Sequence, residues 1–119
     1  MKKLGSVLLL ASSVVVTTAA SARPWLYVSG FTHGGSADEC LKAAKEALAT
    51  NGFKDELEIE RYEGDSKDKG GYVTGRLDDA PVTAQIECNA TEGLTTLGVS
   101  GLDNDLTYKK YDDLFESDW

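Results

Sequence analysis

One histidine, two cysteines and a scatter of hydroxyls and carboxylates are the groups in this chain that could do chemistry. His33 lies in Phe31-Thr32-His33-Gly34-Gly35-Ser36, a glycine-containing loop that feeds a helix N-terminus. Such a terminus can hold an anion through its unpaired N–H groups and the helix dipole. His33, Gly34, Gly35 and Ser36 are therefore the candidate ligand loop. The spacing matches neither G-x-G-x-x-G nor G-x-x-x-x-G-K-[ST], and a turn with an exposed histidine accounts for the same residues. A serine hydrolase needs a positioned base, an orienting acid and an oxyanion hole. Gly98-Val99-Ser100-Gly101 departs by one residue from the G-x-S-x-G elbow. Ser66-Lys67-Asp68-Lys69 spells S-x-x-K, but that chemistry requires a desolvated lysine, and this is the most hydrophilic stretch of the chain.

Metal sites fare no better. A calcium loop started at Asp65 has Gly70 at the required position, but Lys67, Lys69 and Arg76 stand where oxygen ligands belong. Asp103-Asn104-Asp105 reads as a helix cap. One histidine and two cysteines in oxidised form leave nothing for zinc. The chain is expected to be non-enzymatic, with no metal and no cofactor. Asn89-Ala90-Thr91 is a glycosylation sequon by its letters.

The cysteines have a clearer use. Cys40 falls on the apolar stripe of one helix, and Cys88 on the apolar face of one strand, so both point into one interface. No C-x-x-C is present, which argues against thiol redox chemistry. A Cys40–Cys88 disulfide stapling helix to sheet is predicted. The end of the chain supplies a different candidate. In Asp112-Asp113-Leu114-Phe115-Glu116-Ser117-Asp118-Trp119, carboxylates surround apolar residues. Asp112, Asp113, Phe115 and Trp119 could dock on a basic partner. The alternative is that Phe115 and Trp119 pack on their own core.

The elements that position these groups follow from periodicity. Trp25-Leu26-Tyr27-Val28 reads as a strand. Ser36 with Glu39 fits a capping box, and Cys40, Ala44, Ala47 and Leu48 recur at helical spacing up to the Asn51-Gly52 stop. Leu57, Ile59 and Arg61 alternate with Glu58, Glu60 and Tyr62. Gly64–Gly71 reads as an exposed hairpin loop, and Tyr72–Leu77 as the next strand. Val82, Ala84, Ile86 and Cys88 give the clearest period of two, with Thr83, Gln85, Glu87 and Asn89 on the other side. Leu94–Ser100 is a further strand. A last helix puts Tyr108, Tyr111, Leu114 and Phe115 on one face. The predicted fold is α+β: a two-layer sandwich, a mainly antiparallel sheet of four to five strands with two helices on one face, in the order β-α-β-β-β-β-α.

Residues 1–22 read as a secretory signal peptide: basic Met1-Lys2-Lys3, apolar Leu4 to Val16, and an A-x-A site at Ala20-Ser21-Ala22. The apolar run of ~13 residues is shorter than the ~20 that cross a bilayer. Residues 23–119 are then a single domain, expected in a bacterial periplasm or outside the cell, with no stable membrane insertion after cleavage. The whole chain has 12 Lys and Arg against 20 Asp and Glu, net −8. Two of those lysines belong to the leader, so the domain is more acidic still. That excludes nucleic acid, whose phosphates require cationic side chains, and leaves a basic protein partner or a cation.

Asp38-x-Cys40, Ala44, Ala47-Leu48 and Gly52-Phe53, followed by Ile86-Glu87-Cys88 and Val99-Ser100-Gly101, resemble a loose group of small secreted bacterial proteins. The resemblance spans Asp38 to Gly101 and implies the fold and no active site. The expected function is protein binding of an inhibitor or immunity type, with small-ligand or cation binding as the alternative.

Overall fold

The computed structural model describes residues 23–119; the expected leader, residues 1–22, lies outside them. The elements run β1 (Trp25–Thr32), α1 (Ala37–Thr50), β2 (Asp55–Arg61), a short 3-10 turn (Gly64–Ser66), β3 (Gly70–Arg76), β4 (Val82–Asn89), β5 (Leu94–Gly101) and α2 (Asn104–Phe115). The five strands form one antiparallel sheet in the order β1-β5-β4-β3-β2. Both helices pack on the same face, α1 over β2, β3 and β4, and α2 over β1 and β5. The architecture is the predicted two-layer α+β fold.

Local chemistry explains the helix ends. Ser36 Oγ accepts the Glu39 N–H at 3.2 Å and starts α1. At the other end Gly52 takes φ 90°, its N–H reaching the Ala49 carbonyl and the Phe53 N–H the Leu48 carbonyl. That paired closure satisfies carbonyls the helix would otherwise leave open. It also turns Phe53 inward, where it is fully buried with Leu41 and Leu48. Asp103 caps α2 by accepting the Leu106 N–H at 2.8 Å.

The period of two in β4 becomes a burial pattern. Val82, Ala84, Ile86 and Cys88 face the helices with Val73 of β3 and Leu97 and Val99 of β5. Cys40 and Cys88 are bonded, with Cα atoms 6.1 Å apart and a sequence separation of 48. The bond ties α1 to a strand in the interior of the sheet. Loop-closure entropy for a ring of this size amounts to about 4 kcal/mol.

Three boundaries differ from the periodicity. β1 runs on through Gly30, Phe31 and Thr32, residues expected in the loop before α1, which begins instead at His33. β3 begins at Gly70, inside the stretch expected to be loop. Gly70 and Gly71 are buried, and a Cβ there would collide with the Cys88 and Glu60 carbonyls respectively. Lack of a side chain, which looks like turn chemistry in sequence, here allows close strand approach. β2 begins at Asp55 and is interrupted before Glu58, with Glu56 at φ 47°. On α2 the buried positions are Thr107 and Leu114, while Tyr108 and Phe115 are half exposed at the margins. Thr107 is tolerated inside because its hydroxyl donates to the Asp103 carbonyl at 2.5 Å.

Candidate functional site

The side of the sheet away from the helices has no covering element among the described residues. Pairing sets its side chains in rows that cross the strands. One row runs Val28, Gly98, Gln85, Thr74, Glu58. The next runs Gly30, Thr96, Glu87, Tyr72, Glu60. Both rows begin apolar or small at β1 and end on a carboxylate at β2. Between them the first carries an amide and a hydroxyl, Gln85 and Thr74, and the second the hydroxyls of Thr96 and Tyr72 with the carboxylate of Glu87. Leu26 and Val28 are 66% and 56% exposed, well above what an aliphatic residue in a sheet usually leaves to water.

Two shallow depressions abut on this face. The first has about 390 Å³ and a floor at Gly98, between Leu26, Val28, Thr83, Gln85 and Ser100. A Cβ on Gly98 would meet only Val28 Cγ2 at 3.9 Å, so the strand itself does not require a glycine there. The second has about 420 Å³ and is lined by Glu56, Glu58, Glu60, Thr74 and Arg76. Arg76 pairs with Glu56 at 3.3 Å, which leaves Glu58 and Glu60 as the carboxylates of the adjoining rows. Where the halves meet, Gln85 Nε2 donates to Thr74 Oγ1 at 3.1 Å. The Tyr62 hydroxyl donates to Glu87 Oε1, its ring edge-on to Tyr72 at 5.5 Å. Burial pushes the Tyr62 phenol up, and the Glu87 hydrogen bond and charge add to the shift. Tyr62 is thus a neutral donor that fixes Glu87 on this surface.

The residues singled out from sequence lie elsewhere. His33, Gly35 and Ser36 come together beside Cys40, Cys88 and Asn89, with Gly34 outside the group. The space between them is about 10 Å³, room for one water molecule. Asp38 and Glu39 occupy the first turn of α1, so negative charge already sits at that helix dipole. Asp38 is also ion-paired with Arg61.

At the chain end Trp119 folds back. Its Nε1 donates to the Leu114 carbonyl at 2.9 Å, and its ring stands edge-on to Phe31 at 5.2 Å. Phe115 stacks on Tyr111 at 6.0 Å, and Phe115 and Trp119 share a dent of about 140 Å³. Asp113 pairs with Lys109 at 2.8 Å, while Asp112 is exposed. The tail residues therefore divide: Phe115 and Trp119 border one dent, each ring against a different aromatic partner, and neither Asp112 nor Asp113 lines it. Among the described residues no three His, Cys, Asp or Glu side chains gather as a metal-binding set, and no helix is long and apolar enough to cross a membrane.

Periodicity marks Glu58, Glu60 and Glu87 as solvent-side residues. It carries no sign that they share a face with Leu26 and Val28, because that depends on β1 pairing with β5 across most of the chain. Comparison with known proteins gives no match to a family model, a curated protein or a solved structure. The class defined is thus structural: a disulfide-stapled, two-layer α+β domain with one open sheet face.

Proposed function

We infer that this chain is a small acidic protein exported to the periplasm or beyond, and that it works without catalysis by holding a basic protein partner, as an inhibitor or immunity protein does. The observation that carries this reading is the open sheet face, apolar at β1 and acidic at β2. A partner presenting an apolar ridge flanked by Lys or Arg would bury Leu26 and Val28 and pair with Glu58, Glu60 and Glu87. An apolar centre with charge at its border is how protein interfaces divide affinity from specificity. The disulfide and the leader-like residues 1–22 support an oxidising compartment. The small space at His33 favours this reading over a ligand loop.

The test is capture from an extracytoplasmic extract on immobilised protein at low and high salt, with variants of two surfaces run in parallel. Glu58→Gln/Glu60→Gln and Gly98→Val are expected to weaken capture of the same partner by about tenfold each, about 1.4 kcal/mol, and salt to release it. Asp112→Asn/Asp113→Asn is expected to leave it bound. A partner indifferent to the open-face changes and to salt would sink the reading.

A further inference from the structure

We propose that two copies of this chain associate through β1, antiparallel about a two-fold axis at Val28, so that the two sheets become one. Among the described residues β1 has β5 on one side and no strand on the other. It pairs with β5 in unbroken register from Trp25 to Thr32, so its outer side presents a straight row of backbone donors and acceptors. Such a row can be completed by any extended chain. What selects a second copy is charge and fit.

No residue of β1 is charged, and none of β5 behind it is. The molecule as a whole is strongly acidic. Two copies can therefore meet along β1 with no strand carboxylate opposite another. The far edge forbids the same meeting, because β2 carries Asp55, Glu56, Glu58 and Glu60. A basic partner, in turn, finds no counter-charge on β1.

An axis at Val28 places Leu26 opposite Gly30 and Tyr27 opposite Ser29 of the other copy, large beside small on each face. Leu26 and Val28 of both copies then form one apolar strip on the open face. On the helix face Trp25, 50% exposed, falls opposite Phe31, beside the Phe31–Trp119 pair. A contact of this kind is self-complementary, as a two-fold axis requires.

Sedimentation velocity on the purified oxidised protein, without any partner, reads the result. A concentration-dependent monomer–dimer equilibrium is expected, shifting toward dimer as salt screens the acidic surfaces. Salt should act here in the sense opposite to its effect on a basic partner, so failure of one proposal is distinguishable from failure of the other. Val28→Lys puts like charges on the axis and should weaken the dimer at least about tenfold; circular dichroism checks that the fold is kept. Val28→Cys should cross-link to itself under oxidation. A monomer at every concentration and salt overturns the proposal. So does a dimer that Val28→Lys leaves intact, one in which Val28→Cys fails to cross-link, or a strand of another protein found on β1.

Discussion

At one edge of the sheet β1 runs from Trp25 to Thr32 without a charge; at the other, β2 carries four carboxylates between Asp55 and Arg61. Both edges have the same backbone groups to offer. They differ in what another chain would meet. At β2 an incoming strand meets negative charge and a backbone turned aside at Glu56, φ 47°. Charge and irregularity are the ordinary means of keeping sheet edges apart. At β1 it meets Trp25, Leu26 and Val28, all at least half exposed. The acidity of this protein is thus not spread evenly. Within the sheet, carboxylates stand on β2 and at Glu87 of β4 and none on β1 or β5, so the same sheet can repel copies on one side and accept one on the other.

The largest expected effect falls between the edges. Cys40→Ala/Cys88→Ala removes the staple that holds α1 to β4, and should cost about 2–5 kcal/mol in urea or thermal unfolding. If both edges depend on one core, hydrogen exchange in β1 and β2 should rise together. Faster exchange in β2 alone would show that the bond serves mainly the acidic half.

A smaller effect is expected at the end of β2. Tyr62→Phe removes the hydrogen bond to Glu87 and should cost about 1 kcal/mol. A phenol whose pKa is raised on folding holds its proton more tightly folded than unfolded. Its contribution is complete below pH ~10, the usual phenol value, and is lost as pH rises toward the raised folded value. Stability of the parent should therefore fall above that pH, and the variant should lack that part of the fall. Equal pH profiles would remove the Tyr62–Glu87 contact as a determinant of this half.

The smallest effect tests the kink. Glu56 adopts a backbone conformation that suits glycine. Glu56→Gly should gain about 0.5–1 kcal/mol, against the loss of an exposed pair with Arg76 worth less. A raised urea midpoint is expected. A lowered one would mean that the side chain, not the backbone, shapes this edge.

Much of this was written in short-range pattern. The Ser36 cap, the Asn51-Gly52 stop and the alternation of Val82 to Cys88 each specify an element within a few residues, and the element order followed. The helix-to-sheet disulfide was readable because both cysteines stand on apolar faces. The start of β3 was not, since Gly70 and Gly71 carry no side chain to show periodicity. The open face was readable only in halves: Glu58 and Glu60 alternate outward, but nothing local joins them to Leu26 and Val28.

By itself the sequence determined the kind and order of the helices and strands, which faces are apolar, and that the chain is acidic, because these depend on neighbours a few positions away. Tertiary structure alone decided that β1 pairs with β5, that β1 and β2 become the two edges, and that one sheet face stays open. Those outcomes rest on hydrogen bonds between strands more than sixty residues apart, whose pairing no local preference encodes.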